Sequence, residues 1–231
     1  MKIAIVQFPG SNCDHDCKHA IGQILGAKVQ YVWHRSDKLT GFDAVVIPGG
    51  FSYGDYLRPG SIARFSPVMK EVARFVTKGG VVLGICNGFQ ILTEAGILPG
   101  ALMRNKSLKF VCKDTWLKVG TTECFLTSDV EMGKVLRIPI AHMEGRYIVD
   151  DYTLEQLNNE NRVIFRYCDK KGGIAEDANP NGSIENIAGI ISEGRNVVGM
   201  MPHPERVCEE SLGGTDGVLL LTSMLEATKI Y

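Results

Sequence analysis

Several features are scarce in or missing from this chain of 231 residues, and each absence narrows its possible roles. Its 25 lysines and arginines are balanced by 26 aspartates and glutamates, so the formal net charge is -1. That balance gives no reason to expect a nucleic acid or a membrane surface as partner. No apolar run reaches membrane-spanning length, and the first six residues turn polar too soon for a signal peptide. We therefore expect a cytoplasmic protein.

Histidines are few, and the cysteines cannot all pair with one another. The chain has five histidines and seven cysteines, so at least one cysteine must stay unpaired within the chain. In a reducing cytosol such a thiol can serve as a reagent. Internal repeats, low-complexity stretches and linkers are also missing, so we expect residues 1–231 to form a single domain.

The first half of the chain alternates between strand and helix patterns. Residues 14–25 and 67–76 have helical spacing, and four continuous apolar runs are typical of parallel strands that are buried on both faces. The four runs are residues 3–6, 29–33, 44–47 and 81–85. This alternation predicts an α/β fold with a doubly wound, mostly parallel sheet.

The second half has a different character. Residues 109–119 and 121–128 alternate or are rich in β-branched side chains, which predicts a small antiparallel β addition. Further strands are predicted at residues 164–167, 187–191 and 197–201, and further helices at 151–159 and 216–229.

One cysteine lies at a predicted strand-to-helix junction. Cys86 stands between the strand at residues 81–85 and a helix at 87–95, flanked by Gly84 and Gly88. This is the cysteine form of the G-x-S-x-G elbow, a sharp turn that lifts the nucleophile out at the carboxyl end of the sheet. The helix N-terminus favours the reactive thiolate. The elbow alone leaves several enzyme classes open, together with thiol proteins that sense redox state.

A cysteine nucleophile usually works with a base, and the base with a third group that orients it. His203 follows the predicted strand at 197–201, and Glu205 lies two residues on, where an extended backbone would point both side chains the same way. The carboxylate would then stabilise the imidazolium form. His142 is the alternative base, since Glu144 follows it at the same spacing. Only the clearer strand before His203 favours His203.

Paired glycines, Gly49 and Gly50, follow the strand at residues 44–47. Glycines after a strand let backbone N–H groups approach a ligand closely. Attack on a carboxamide produces a tetrahedral oxyanion, which the N–H groups of Gly50 and Asn87 are placed to bind. Taken alone, a Gly-Gly pair is more often a simple turn.

In combination, these motifs resemble those of one enzyme family. Pro48-Gly49-Gly50, then the run from Gly84 to Gln90, then His203-Pro204-Glu205 follow the pattern of class I glutamine amidotransferases, whose fold is flavodoxin-like. Further runs resemble one branch of that family, the small stand-alone glutaminase subunits of a purine-biosynthesis synthetase, over essentially the whole chain. These runs are residues 8–14, 50–58, 142–147 and 179–183.

The resemblance implies roles for individual residues. Cys86 would be the nucleophile, His203 the general base and acid, and Glu205 its partner. Gly50 and Asn87 correspond to the family's oxyanion donors. Gln90 corresponds to a residue that lines the glutamine pocket.

The resemblance also implies partners. In that branch, ammonia released from glutamine passes inside a complex to a large synthetase subunit, which uses ATP and Mg²⁺ to convert formylglycinamide ribonucleotide to its amidine. A small third subunit bridges the two. The glutaminase itself needs no metal or other cofactor. Met143 departs from the family pattern, which more often has glycine at this place, so the role of the loop from His142 to Tyr147 stays open.

Two other functions share parts of this site. A stand-alone γ-glutamyl hydrolase or peptidase would have the same elbow, base and oxyanion hole but would need no partner, and the branch-specific runs argue against it. A non-enzymatic thiol sensor of the same fold would keep the cysteine and lose His203 and Glu205.

A metal site is a further possibility near the N-terminus. Its spacing fits no common zinc pattern. A helix capped by Ser11 or Asn12 accounts better for this segment. The four side chains that suggest the metal are Cys13, His15, Cys17 and His19.

Overall fold

The computed structural model describes residues 1–228. No helix in that range is both long and apolar enough to cross a membrane. Its strands are β1 (Lys2–Gln7), β2 (Lys28–Trp33), β3 (Ala44–Ile47), β4 (Val81–Ile85), β5 (Ala101–Met103), β6 (Val111–Val119), β7 (Val135–His142), β8 (Arg146–Ile148), β9 (Val163–Cys168), β10 (Ile187–Ile191) and β11 (Val197–Met200). Its α-helices are α1 (Asp14–Lys18), α2 (Pro67–Thr77), α3 (Asn87–Glu94), α4 (Asp151–Asn159) and α5 (Asp216–Ala227).

Nine of the described strands form one sheet, in the order β2-β1-β3-β4-β11-β10-β9-β6-β7. The first five are parallel neighbours, and their order is that of a flavodoxin-like sheet. The other four are each antiparallel to their neighbours and extend one edge of the sheet. Strands β5 and β8 form a separate antiparallel pair. The predicted α/β doubly wound fold with an antiparallel addition is confirmed.

Burial along the strands follows their place in the sheet. Every residue of β3, β4 and β11 is buried, because helices or loops cover both faces at the centre. The edge strand β7 alternates between buried and partly exposed residues. It also contains Pro139, which an edge strand tolerates because its free side needs no backbone N–H donor. The core therefore lies around the parallel strands whose carboxyl ends carry the candidate site.

The first predicted helix differs from expectation in two ways. After α1 the chain continues as a π-helical segment, His19–Ile24, rather than as one α-helix. Neither predicted cap is used, since Cys13 precedes α1 and no side chain caps it. Ser11 instead accepts a hydrogen bond on Oγ from the N–H of Phe8, at 3.0 Å, within the loop.

The strand predicted at residues 121–128 is wrong. These residues form turns, and the hydroxyl of Thr127 donates a hydrogen bond to the carbonyl of Thr121 at 2.7 Å. Strand β6 pairs instead with β7 and β9. The helix predicted at 216–229 ends at Ala227, and Lys229 lies outside the described residues.

Candidate active site

Cys86 forms the predicted elbow between β4 and α3. Its backbone has φ 50° and ψ -104°, and its side chain is buried. A non-glycine residue in such a conformation is strained by about 1–3 kcal/mol, so the surrounding structure must hold it there. The N–H of Cys86 donates to the carbonyl of Met200 at 2.7 Å, and its carbonyl accepts from the N–H of Gln90 at 3.1 Å. The turn is thus fixed by the neighbouring strand and by the helix that it starts.

The glycines on either side of the elbow are required by close packing. A Cβ on Gly84 would lie 2.4 Å from Leu92 Cδ1, and one on Gly88 would lie 1.9 Å from the carbonyl oxygen of Ile47. The first contact is with α3 and the second with β3. Neither position therefore has room for a side chain.

His203 and Glu205 form a buried pair. His203 Nδ1 lies 2.6 Å from Glu205 Oε1, and the two residues are 1% and 2% exposed. The backbone N–H of His203 also donates to the carbonyl of Pro139 at 2.8 Å, which ties the segment to β7. The backbone is not extended as predicted, because Pro204–Arg206 forms a 3₁₀ turn. The side chains meet across that turn.

The charges around His203 set its protonation. Burial by itself would lower the pKa of His203, but the negative charges of Glu205 and Cys86 raise this pKa well above its usual value. Such a histidine holds a proton readily. The arrangement favours the imidazolium form of His203 beside the elbow.

Gly49 brings the elbow and the histidine together. A Cβ on Gly49 would lie 2.7 Å from His203 Cε1, 3.0 Å from Cys13 Sγ and 3.4 Å from Cys86 Cβ. These three side chains therefore surround the same backbone position. Sequence reasoning missed Cys13 as a member of this group. The available signal was its place just after β1, whose carboxyl end adjoins that of β3 in a flavodoxin-like sheet.

The two predicted oxyanion donors, Gly50 and Asn87, follow the carboxyl ends of β3 and β4. Gly50 has φ 145°, and a Cβ there would lie 2.8 Å from the backbone nitrogen of Asn12, so only glycine fits. Within residues 1–228 its N–H has no acceptor. The N–H of Asn87 lies in the first turn of α3, where such groups have no partner within the helix. Both N–H groups are thus available to a ligand.

Gln90 is anchored beside the nucleophile. Its Nε2 donates to the carbonyl of Glu144 at 2.6 Å, and its Oε1 accepts from Asn87 Nδ2 at 2.9 Å. Asn87 Nδ2 also lies 3.4 Å from Asp55 Oδ1. Burial and the nearby charge of Glu144 raise the pKa of Asp55 to about 6. Two partly buried carboxyl groups therefore lie near the predicted glutamine pocket, and sequence reasoning assigned neither of them to it.

The structure also distinguishes the two candidate bases. His142 Nδ1 lies 3.1 Å from Asn105 Oδ1, whereas Glu144 lies near Arg104, with Oε1 3.7 Å from Nε. Burial, and then the charge of His203, lower the pKa of His142 to about 3. His142 is therefore neutral and has no carboxylate partner comparable to Glu205.

The four residues of the suggested N-terminal metal site diverge. His15 Nδ1 lies 3.3 Å from the hydroxyl of Tyr31, and His19 Nε2 lies 2.6 Å from Glu209 Oε1. Cys13 and Cys17 are buried.

A cavity of about 960 Å³ lies away from the candidate site, at the amino ends of β3, β4 and β11. None of the candidate site residues line it.

Fold and site together define a class of protein. A strained cysteine stands at the carboxyl end of a flavodoxin-like sheet, next to a buried histidine–glutamate pair and two available backbone N–H groups. This is the arrangement of a class I glutamine amidotransferase, in which a cysteine attacks the side-chain amide of glutamine.

Comparison with known proteins gives the family. Residues 1–213 match the model of the CobB/CobQ-like glutamine amidotransferase domain, and the chain belongs to that family. It is 56% identical over 227 residues to phosphoribosylformylglycinamidine synthase subunit PurQ of Koribacter versatilis, covering 98% of each chain. The same subunit of Moorella thermoacetica is 55% identical over 226 residues, covering 98% of this chain and 96% of that one. A solved structure of PurLQS from Thermotoga maritima aligns with a TM-score of 0.86 at 43% identity, covering 97% of each chain.

Proposed function

We propose that this chain is the glutaminase subunit of a phosphoribosylformylglycinamidine synthase. It hydrolyses glutamine and delivers the ammonia to a large synthetase subunit, with a small third subunit bridging the two. Relatives named as this subunit align over almost the full length of the chain, at 56% and 55% identity. The proposed chemistry rests on one observation: the side chains of Cys86 and His203 both lie next to Gly49, at the edge of the sheet.

The first half of the reaction forms a thioester. The sulfur of Cys86 attacks the side-chain carbonyl carbon of glutamine, and the N–H groups of Gly50 and Asn87 stabilise the negative oxygen that develops. His203, held by Glu205, then protonates the departing nitrogen, which leaves as ammonia. The γ-glutamyl group stays on the sulfur.

The second half releases glutamate. His203, now neutral, takes a proton from water as the water attacks the thioester carbonyl. The C–S bond then breaks, so that the sulfur of Cys86 leaves as a thiolate beside the protonated His203, and the new γ-carboxyl group of glutamate loses the second water proton to solvent. General acid–base help of this kind is worth about 10²–10⁴ in rate. Gln90, fixed by Asn87 and by the carbonyl of Glu144, lines the side of the pocket nearest α3.

The glutaminase reaction requires no metal and no nucleotide. Each proton movement has a donor or acceptor in His203, and the oxyanion has two backbone donors. ATP and Mg²⁺ serve the synthetase subunit, which activates formylglycinamide ribonucleotide for amination. The complex works in the cytoplasm, where purine precursors are made.

The test measures glutamate, ammonia and the amidine product. The chain is assayed alone and with the large and small synthetase subunits, ATP and formylglycinamide ribonucleotide. We expect slow glutamine hydrolysis by the chain alone and rapid hydrolysis, matched by amidine formation, in the loaded complex. Full-rate hydrolysis by the chain alone would favour a stand-alone γ-glutamyl hydrolase.

The nucleophile is tested with a matched pair of cysteine variants. Cys86→Ala removes the buried thiol at the elbow, and Cys112→Ala removes an exposed thiol on β6. We expect the first to abolish ammonia release and the second to preserve it. Ammonia release by Cys86→Ala would refute the mechanism. A thiol that reacts with peroxide in a chain that never hydrolyses glutamine would indicate a sensor.

A further inference from the structure

The active site contains more metal-ligating groups than the glutaminase reaction uses. Cys13 Sγ, an imidazole nitrogen of His203 and a carboxylate oxygen of Glu205 all lie within 4.8 Å of one another, and all three residues are buried. Two of these residues also carry an atom without a hydrogen-bond partner within residues 1–228, namely His203 Nε2 and Glu205 Oε2. A buried polar atom without a partner is costly, so a ligand that engages it is favoured.

We propose that Cys13, His203 and Glu205 form a binding site for Zn²⁺, or for a similar soft divalent cation, that inhibits the enzyme. Thiolate, imidazole and carboxylate are the three common protein ligands of zinc. At zinc's usual bond lengths of about 2.0–2.3 Å, tetrahedral ligand atoms lie roughly 3.5 Å apart. Shifts of about 1 Å therefore bring the three groups into a coordination shell that leaves a fourth position open.

The local charges suit a divalent cation. Once the thiol of Cys13 gives up its proton to an incoming metal ion, its sulfur and the carboxylate of Glu205 together supply two negative charges. Arg206 donates from Nη2 to Cys13 Sγ at 3.0 Å. Its positive charge is offset by Asp16, whose Oδ2 lies 3.3 Å from Arg206 Nε. The ligand set is thus balanced against Zn²⁺ without a further counterion.

The metal would act as an inhibitor and not as a cofactor. A cation bound to the imidazole occupies the nitrogen lone pair that His203 needs for proton transfer, and it draws Glu205 away from its orienting role. Cys13 supplies the third ligand, since the histidine–glutamate pair alone supplies only two. Metal binding rests on the geometry, whereas the inhibition rests also on the proposed function.

Binding is tested with Cd²⁺, whose ultraviolet sulfur-to-metal charge-transfer band reports thiolate ligands. The parent for these titrations is Cys112→Ser, which lacks the exposed thiol. Loss of a residue that only supports a metal ligand weakens a metal site by about 10–100-fold, and Cys13 would be a ligand itself. We therefore expect Cys13→Ser to lose the charge-transfer band and to bind Cd²⁺ at least about tenfold more weakly. Glu205→Gln, which keeps the side-chain volume, is expected to weaken binding while keeping the band.

Two outcomes would overturn the site. One is unchanged Cd²⁺ affinity and band intensity in Cys13→Ser. The other is loss of the band in Cys86→Ser while Cys13→Ser keeps it, which would place the metal on the nucleophile instead.

Inhibition is measured separately, as ammonia release by the full complex against Zn²⁺ concentration, relative to each variant's own metal-free rate. We expect Cys13→Ser to need at least about tenfold more Zn²⁺ for half inhibition. Equal sensitivity of Cys13→Ser and its parent would overturn the inhibitory role. A parent that binds Cd²⁺ through Cys13 but never releases ammonia would refute the proposed function and leave the metal site standing.

Discussion

The imidazole of His203 and the carboxylate of Glu205 share a hydrogen bond of 2.6 Å at a place that solvent does not reach. Burial alone would lower the pKa of the imidazole, yet the carboxylate charge reverses this effect. Glu205 therefore has two effects on His203: it orients the imidazole ring, and it stabilises the positively charged form of that ring.

We predict that Glu205→Gln lowers the rate of glutamine hydrolysis by about 10²–10⁴, because the amide neither orients the ring as firmly nor stabilises its positive charge.

The same substitution should change how stability depends on pH. The folded-state pKa of His203 is raised, so the stabilisation that protonated His203 gives the fold is complete below pH 6.5 and is lost as pH rises through the folded-state pKa. The stability difference between parent and variant should follow the same course. Denaturant unfolding at several pH values measures it.

A surface pair supplies the control. His19 and Glu209 are also 2.6 Å apart, but their side chains are 41% and 33% exposed. Solvent screens an exposed pair, so Glu209→Gln should change stability little and glutamine hydrolysis hardly at all. Equal effects of the two substitutions would show that burial does not strengthen the His203 pair.

We predict that Gly49→Ala severely impairs activity while the protein still folds. The new methyl would meet the ring of His203 at 2.7 Å and would displace it from Cys86. Overpacking of this kind costs about 1–3 kcal/mol, which most domains survive. Gly22→Ala is the control, since its nearest neighbour would be a Val29 methyl at an ordinary 3.4 Å. Normal ammonia release by Gly49→Ala would contradict the placement of His203 and Cys86 next to this residue.

The parallel half of the fold was predictable from the sequence, and much of the antiparallel half was not. Strands β3 and β4 were predicted with their observed bounds, because wholly buried parallel strands are continuous apolar runs. Strand β7 was missed because it alternates in burial and carries Pro139, which weakens a strand pattern. Residues 121–128 have strand composition, yet their polar groups bond locally in turns.

The same contrast holds at the active site. Cys86, His203 and Glu205 were identified because each lies beside a recognisable local pattern. The contact of Gln90 with Glu144 spans 54 residues, and that of Arg206 with Cys13 spans 193. No local pattern encodes such pairs, because they depend on which strand ends adjoin.

The neutral state of His142 predicts acid sensitivity of the fold. Its pKa is lowered to about 3, so the unfolded chain binds a proton below pH 6.5 that the folded chain does not bind until about pH 3. Stability should fall by about 1.4 kcal/mol per pH unit across that range from this residue alone. We predict a shallower fall for His142→Asn, whose amide can still donate to Asn105 Oδ1.

The same variant tests the choice of base. His142→Asn should retain most glutamine hydrolysis, whereas His203→Asn should lose about 10²–10⁴ in rate. A larger loss in His142→Asn than in His203→Asn would reverse the assignment of the base.

Asp55 carries a stability cost that depends on pH. Burial and the charge of Glu144 raise its pKa from 3.8 to about 6, so the cost is absent below pH 3.8, grows as pH rises and is complete above about pH 6. We predict that Asp55→Asn raises the free energy of unfolding by about 1 kcal/mol more at pH 7.5 than at pH 4. This value is reduced from the full effect of the pKa shift, because solvent partly screens the charge of Asp55. Asp177→Asn, on the exposed surface, is the control for the change of charge. A gain at pH 4 as large as that at pH 7.5 would show that the substitution acts through packing rather than through the buried carboxylate charge.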